Sequence, residues 1–540
     1  MAETQARRRG VLDVIEWLGN KLPDPVFLFA GAAALVMVMS ALGTWAGWEV
    51  QPLKPVVTGE MGAGGRPAVS LVPTGEPIGV RNLLSSEGLH WATTSMVSNF
   101  INFPPLGIVL VGVLGVGLAE KVGMFAALMK WLASVTPRKL LAPVVIFLGV
   151  ISNITSDAGY IVLPPLAAGL FAAVGRSPVA GLACAFAGIS GGFSANLIPS
   201  ATDALVGGLT ESAARTLDGN SSVTPVANWW FMIASTFLLT LMGWAVCSFV
   251  TEPRMAGRSP ELGGPIPAGT RDVSEQNLTA LERRGLRWML VAFVGVGLVF
   301  AAAIAVPGAP LNGSIQVNPT RSVEKWTQAI IPMVFVGFVI PGIAYGVSTG
   351  ALRTQKQVAA ALISAIAGMA PIIVLAFFAA QFLEYLKYSN FDRMLAFLGG
   401  EVLVESGLPP IALLPAIVLV SLTINLLVSS MSAKWSMLAP ILVPMLMMAG
   451  MSPELTQAAY RIGDSVTNCC TPMNSYALII LVVLERYWKS AGIGALLATM
   501  APYTVVFAIV WTAFFVLWVS LGIPLGPGTT LWYVPPSAST

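Results

Sequence analysis

Seven stretches of this chain, 26–48, 105–126, 228–250, 288–306, 328–349, 358–384 and 494–522, are long and apolar enough to cross a bilayer. A span needs about 20 predominantly apolar residues. Inside hydrocarbon every backbone polar group has to find a partner within the chain, which leaves helices or closed barrels. Only 10% of the 540 residues are charged and 56% are apolar, whereas a soluble domain carries about 25% charged residues. The chain therefore reads as an all-α polytopic membrane protein. A net charge of +3 gives no reason to expect nucleic acid as a partner. The four cysteines, Cys184, Cys247, Cys469 and Cys470, lie in or beside apolar segments without metal-ligand spacing, and the one histidine, His90, has no second ligand nearby. No cofactor is expected.

Basic residues orient the spans, because cytoplasmic segments are rich in Lys and Arg. Arg7, Arg8 and Arg9 put residues 1–25 in the cytoplasm. The apolar run that starts at Val26 is too long for a signal sequence, so it is read as the first retained span. Lys130, Arg138 and Lys139 place the end of the 26–126 unit inside, as do Arg254, Arg258, Arg271, Arg283, Arg284 and Arg287 for the loop 251–287 within the 228–384 unit. Residues 49–104 are then external, with Leu83 to Phe103 lying along the interface.

Two regions, 140–217 and 411–484, are too long for one span and too interrupted for two. In the first, an apolar run (140–151) meets a polar tip (152–159), a second run, the turn Gly175-Arg176-Ser177-Pro178 and a stretch broken at Ser190 to Pro199. In the second, runs 411–428 and 437–449 flank the tip Ser429–Ser436. Gly450-Met451-Ser452-Pro453 then turns, and a span follows that is broken at Ser465 to Pro472. Each reads as a re-entrant hairpin followed by a broken span. Shifted by 275 residues, Leu163, Pro165, Gly175, Ser177, Pro178, Ala183, Gly188, Ser190 and Ser200 meet identical residues, nine matches without a gap, where composition gives about three. The first copy runs inside to outside and the second outside to inside, so this is an inverted-topology repeat. The total is nine transmembrane helices plus two re-entrant hairpins, with 494–522 as the last span and the C-terminus outside.

Broken helices near a bilayer midplane are a transporter's way of building a binding site. Their N-termini suit carboxylate or sulfonyl oxygens, and their carbonyls, with Ser, Thr and Asn side chains, suit a cation such as Na⁺. The tips and breaks supply Ser152, Asn153, Thr155, Asp157, Asn196, Thr467, Asn468 and Thr471. If the coupling ion is Na⁺, Asn468 and Asp464 are where it is expected; if it is H⁺, a carboxylate carries it. Glu454, Gln457, Arg461 and Asp464 fall on one helical stripe, so Arg461 and Asp464 can pair. That pair is either a structural neutralisation or a titrating carboxylate held by a guanidinium. The first copy has Phe186 and Ile189 at the two positions. Asp157 and Asp203 have no adjacent cation in sequence, and burial without a partner favours the protonated carboxyl, which suits proton coupling. Trp435 can stack on an aromatic ligand or serve as packing.

Ser-Ala-Lys-Trp (432–435), Met-Ser-Pro-Glu (451–454), Tyr-Arg-Ile-Gly-Asp-Ser (460–465), Asn-Cys-Cys-Thr-Pro-Met (468–473) and Ser-Ala-Asn-Leu-Ile-Pro-Ser-Ala-Thr-Asp (194–203) together resemble the AbgT family of p-aminobenzoyl-glutamate transporters. The resemblance covers essentially the whole chain. It implies a homodimer in the bacterial inner membrane, with an inward-facing bowl, a periplasmic C-terminus and nine helices plus two hairpins. It also implies ion-gradient-driven transport of p-aminobenzoyl-glutamate or export of sulfonamide antimetabolites. The residues such transporters need fall on Asp203, Ser432, Trp435, Pro453, Arg461, Asp464 and Pro472.

The leading expectation is a secondary transporter of aromatic carboxylates, exporting sulfonamides, with a Na⁺-coupled importer of p-aminobenzoyl-glutamate or a related dicarboxylate as the alternative. An intramembrane aspartyl protease is the distant one. Gly463-Asp464 is similar to that family's Gly-x-Gly-Asp, but position 461 is Arg, and Ser156 rather than a tyrosine precedes Asp157. A passive channel would call for a ring of repeated acidic residues, and none is present.

Overall fold

The structure is a computed structural model that describes residues 24–62, 66–155, 158–267, 278–318, 321–471, 474 and 476–535. Expectations for Arg7, Arg8, Arg9, Ser156, Asp157, Arg271, Pro472 and Ser475, and for the side chain of Thr155, fall outside the described residues.

The first unit holds α1 (Pro25–Trp45), α2 (Pro104–Lys121) and α3 (Met124–Val135). Next come α4 (Leu141–Ser152), α5 (Ala158–Ala173), α6 (Pro178–Phe186, ending in a wide turn at Ala187–Gly191) and α7 (Ala201–Ala214). The middle unit is α8 (Trp229–Val246), α9 (Ala280–Ala305), α10 (Ile330–Thr349), α11 (Gln355–Ala367), α12 (Ala370–Tyr388) and α13 (Phe391–Glu405). The chain closes with α14 (Pro410–Asn425), α15 (Met431–Met448), α16 (Pro453–Val466), α17 (Ala477–Glu485) and α18 (Ile493–Ser520). Among the described residues seven helices are long and apolar enough to cross a membrane, or eight with the bent α2/α3 pair, and α15 is one of the seven.

Several expectations need correction. The chain is mostly helical, but among the described residues three antiparallel two-stranded ribbons, 49–50 with 78–79, 53–62 with 66–73 and 314–318 with 321–324, lie between the apolar segments. Those segments carry Val-rich runs such as Pro55-Val56-Val57-Thr58, and β-branched residues suit a ribbon in which the backbone pairs across the turn. The expected span 105–126 bends by 64° between α2 and α3. Gly123 sits there at φ +83°, a left-handed conformation that glycine adopts without a Cβ penalty. The expected span 358–384 is two helices meeting at Gly368-Met369. Pro371 stands in the first turn of α12, where its missing N–H costs nothing, but it cannot continue α11. The second tip is shorter than expected: Ser430 caps α15 through a hydrogen bond from the Ala433 N–H (3.3 Å), so Ser432–Ser436 is helix and the turn is 426–430.

The repeat is visible in the local chemistry. Gly175 and Gly450 both take positive φ, +81° and +83°. Ser177 and Ser452 then cap α6 and α16 by accepting from Ala180 and Leu455 N–H, each at 3.2 Å, with Pro178 and Pro453 at the first helical turn. One tetrapeptide, Gly-x-Ser-Pro, thus ends a hairpin and starts a broken helix twice. The equivalent glycines make the next contact. A Cβ on Gly188 would meet the Ile146 carbonyl oxygen at 2.4 Å, and one on Gly463 would meet the Val418 oxygen at 2.4 Å and Ser421 Cβ at 2.6 Å. Ile146 and Ser421 are themselves 275 apart. Each broken helix therefore lies backbone-to-backbone on the first arm of its own hairpin.

α16 is at the centre, and all 14 of its residues are buried. It packs on α14, α15, α7 and α18, while α2 carries α7, α10 and α11 along its length. Burying a helix with that many polar residues is costly unless most of its polar groups find partners.

Candidate functional site

Each hairpin offers an asparagine to the end of its broken helix. Asn153 donates from Nδ2 to the Ile189 carbonyl at 3.0 Å, and Asn425 donates to the Asp464 carbonyl at 2.5 Å. Ile189 and Asp464 are 275 apart, so the same orphan carbonyl is satisfied in both copies. Asn153 also reaches the Val150 and Gly192 carbonyls (3.1 and 3.3 Å), and Asn425 reaches Thr467 Oγ1 and Asn468 Oδ1 (2.8 and 2.9 Å). Thr471 Oγ1 donates to the Leu426 carbonyl (3.3 Å), and Ser152 Oγ to the Gly149 carbonyl (2.7 Å). The Asn196 amide, turned so that its nitrogen faces acceptors, donates to Ala195 and Val150 (3.1 and 3.3 Å). These expected polar residues are tied into the backbone of the breaks.

The charges pair otherwise than helical spacing suggests. Arg461 does not bond Asp464. Its Nη2 sits 2.6 Å from Asp203 Oδ1 and donates to the Ser194 carbonyl at 3.2 Å. Asp203 is therefore not a lone carboxylate: its other oxygen also closes a capping box on α7 by accepting from the N–H and Oγ of Ser200 (2.6 and 2.7 Å). Asp464 Oδ1 pairs instead with Lys434 Nζ at 2.6 Å and accepts from Tyr460 OH at 3.2 Å. Lys434 is held from its other side by Asn425 Oδ1. Residues three apart on a helix share a face, but their long side chains reach whatever packs beside it. Both pairs are almost wholly buried: side-chain exposure is 1% and 0% for Lys434 and Asp464, and 2% and 7% for Arg461 and Asp203. Asp464 Oδ2 has no hydrogen-bond partner. Gln457, on the same stripe, donates to Asn228 Oδ1 at 2.7 Å.

In the first copy the positions of Lys434 and Asp464 are Gly159 and Ile189, and a Cβ on Gly159 would lie 3.8 Å from Ile189 Cγ1. The same Cβ would collide with Ser152 Oγ, so the first repeat has neither a side chain nor a charge where Lys434 stands in the second. Trp435 is not on a cavity wall. It is fully buried, donates from Nε1 to Thr210 Oγ1 at 2.9 Å and stacks on Tyr460 at 4.2 Å between centroids.

A cavity of about 340 Å³ lies where the repeats and α2 meet, within the size range of ligand sites. Hairpin one contributes Asn153 and Tyr160, and hairpin two contributes Ser429, Ser430, Met431 and Ser432. The first break and α7 supply Phe193, Ala201, Thr202 and Leu205; the second supplies Asn468, Asn474 and Tyr476. Val109, Val113, Met369 and Ile372 complete it from α2, the α11–α12 junction and α12. Of the expected site residues, Asn153, Ser432 and Asn468 are on the wall, while Asp203, Trp435, Arg461 and Asp464 lie behind it. No lining side chain is charged among the described residues. The first turns of α7 and α15 both border the space.

Sequence reasoning passed over Asn425, Tyr160 and Tyr476, and treated Lys434 only as a neighbour of Trp435. Lys434 carried a signal, being the only basic residue between Ile411 and Ala449, and an ionisable group in such a stretch is a functional candidate. Tyr160 and Tyr476 are the first residues of the apolar runs that follow the polar tip and the second break, and that position, with Tyr160 opposite Trp435 in the repeat, was the signal available.

The profile of the AbgT putative transporter family matches residues 10–533. The p-aminobenzoyl-glutamate transport protein of Escherichia coli (strain K12) is 36% identical over 516 residues, 95% of each chain. Two solved structures are similar. MtrF of Neisseria gonorrhoeae, described as one of a class of antimetabolite efflux pumps, has a TM-score of 0.84 and 41% identity over 96% of this chain and 99% of its own. The YdaH transporter of Alcanivorax borkumensis, described as having an unusual topology, has a TM-score of 0.83 and 35% identity over 94% of this chain and 100% of its own.

Proposed function

The chain belongs to the AbgT transporter family, and from that premise we propose that it is an ion-gradient-driven exporter of p-aminobenzoyl-glutamate-like aromatic carboxylates and of sulfonamide antimetabolites. It is a multi-pass membrane transporter of small molecules, not an enzyme. The observation that carries the proposal is the cavity itself. It is bounded by both hairpins and both breaks, lined by hydroxyls, amides and aromatic rings, and bordered by two helix N-termini. That combination suits a ring with carboxylate or sulfonyl oxygens attached.

In this reading nine transmembrane helices and two re-entrant hairpins form each half of a homodimer in the bacterial inner membrane, with the N-terminus cytoplasmic and the C-terminus periplasmic. Asp464, held by Lys434 and Tyr460 with Oδ2 unpaired, is the group that takes up the coupling proton. The Arg461–Asp203 pair locks the two broken helices to each other, and Ser194 N–H donates to Ser465 Oγ at 3.1 Å across the same seam. The breaks therefore move as one body against α2, α10 and α11. Ser432 meets the substrate, and Trp435 and Pro453 position α15 and α16. A Na⁺-driven importer is the second reading, supported by the side-chain oxygens of Thr467 and Asn468 gathered on Asn425 beside Asp464. There Na⁺ would sit near Asn468 and Asp464.

The test is flux of labelled p-aminobenzoyl-glutamate and sulfamethazine in proteoliposomes under separately imposed H⁺ and Na⁺ gradients. Efflux driven by an inward H⁺ gradient is the expected result. Uptake that follows Na⁺ alone would establish the importer, and no flux of either solute under any gradient would end both readings.

A further inference from the structure

We propose that the stacked rings of Tyr160 and Tyr476 are the aromatic subsite of the cavity, with Tyr476 the residue on which the substrate's ring packs. This rests on the aromatic-carboxylate reading above. The two rings lie 4.2 Å apart between centroids and 9° from parallel, and both border the cavity. Tyr160 is 4% exposed and accepts a hydrogen bond from Ser190 Oγ at 3.1 Å, so it is fixed. Tyr476 is half-buried, and its N–H donates to Asn474 Oδ1 at 3.0 Å.

The repeat explains why an aromatic pair stands here. Tyr160 is the counterpart of Trp435, 275 residues on. In the second copy the aromatic at this position stacks on Tyr460 of its own broken helix, and both rings are sealed at 0% exposure. The first copy has Ala185 where Tyr460 would be, and from its own broken helix Tyr160 meets Phe186 edge-on, 6.2 Å between centroids. Its parallel stack is with Tyr476 of the opposite break, and that stack borders the cavity. Trp435 is sealed against Tyr460; the aromatic stack that lines the cavity starts from its counterpart in the other copy. A π-face prefers an offset or edge-on aromatic partner and is indifferent to whether the rest of the ligand is a glutamyl or a sulfonamide group. One subsite thus serves both solute classes.

The test is calorimetric titration of the detergent-purified full-length protein with p-aminobenzoyl-glutamate and with its ring-saturated cyclohexanecarbonyl analogue. Wild type is expected to prefer the aromatic ligand. Tyr476→Leu should weaken aromatic binding by about tenfold and erase the preference, while Tyr476→Phe and Tyr476→Trp keep it. If wild type binds and both Tyr476→Leu and Tyr476→Phe bind within about twofold of it, or if wild type shows no preference for the aromatic ring, the subsite is wrong and the transporter reading stands. Should wild type bind no aromatic carboxylate at all, both fail. Retention of binding by Tyr476→Phe and Tyr476→Trp, against its loss in Tyr476→Leu, separates ring contact from misfolding.

Discussion

Arg461→Ala is expected to cost more stability than any other single change in this protein and to abolish transport. It leaves the Asp203 carboxylate buried without a cation and the Ser194 carbonyl without its donor. Removing one partner of a buried ion pair costs about 3–5 kcal/mol, because the charge left behind has no water to turn to. The effect is larger than for an ordinary pair because these two residues come from opposite repeats and tie the first break to the second. Thermal unfolding in detergent should show a large drop in the transition midpoint. Asp203→Asn, which keeps the shape and loses the charge, should abolish flux while the protein still reaches the membrane. An Arg461→Met/Asp203→Asn double variant should regain much of the lost stability, since no lone charge is left buried and the amide oxygen can still accept from the Ser200 N–H, yet remain inactive. Near-wild-type unfolding of Arg461→Ala would mean that the pair does not hold the repeats together.

Lys434→Met is expected to inactivate the transporter for a different reason. Asp464 would keep only the Tyr460 hydroxyl on Oδ1, with Oδ2 already unpaired, and Asn425 Oδ1 would lose the ammonium it faces. The repeat provides an internal control. The first repeat carries no charge at the equivalent positions, Gly159 and Ile189, and an apolar pair of similar volume is tolerated where a lone buried charge is not. A Lys434→Met/Asp464→Leu double variant should therefore fold about as well as wild type, as measured by unfolding and membrane abundance, but carry no flux. Wild-type flux in the double variant would reduce the pair to packing and discard Asp464 as a proton carrier.

How far the sequence could be read depended on the range of each signal. The Gly-x-Ser-Pro tetrapeptides and the glycine ten residues after each Pro specify a turn, a cap and a close approach through their own backbone. That part of the repeat was legible as spacing alone. The pairing of Arg461 and Asp464 was inferred from the same kind of local evidence and was wrong, because helical spacing says which residues share a face and nothing about what faces them. Lys434 lies on α15 and Asp203 on α7, and only packing brings them to α16. Trp435 was placed at the cavity because its chemistry suits an aromatic ligand, but its ring is consumed by Tyr460. The break at Gly368-Met369 escaped notice since hydropathy stays high across it, although Gly368 and Pro371 were there to be weighed.

Substrate is expected to occupy the cavity between the broken repeats and α2. Single cysteines at Ser432 on hairpin two and at Val109 on α2, placed in a background without the four native cysteines, test it through the rate of modification by a small charged thiol reagent. With p-aminobenzoyl-glutamate binding retained in both variants, the account predicts that saturating ligand slows labelling at both positions. Equal rates with and without bound ligand at both positions would put the binding site elsewhere and contradict it.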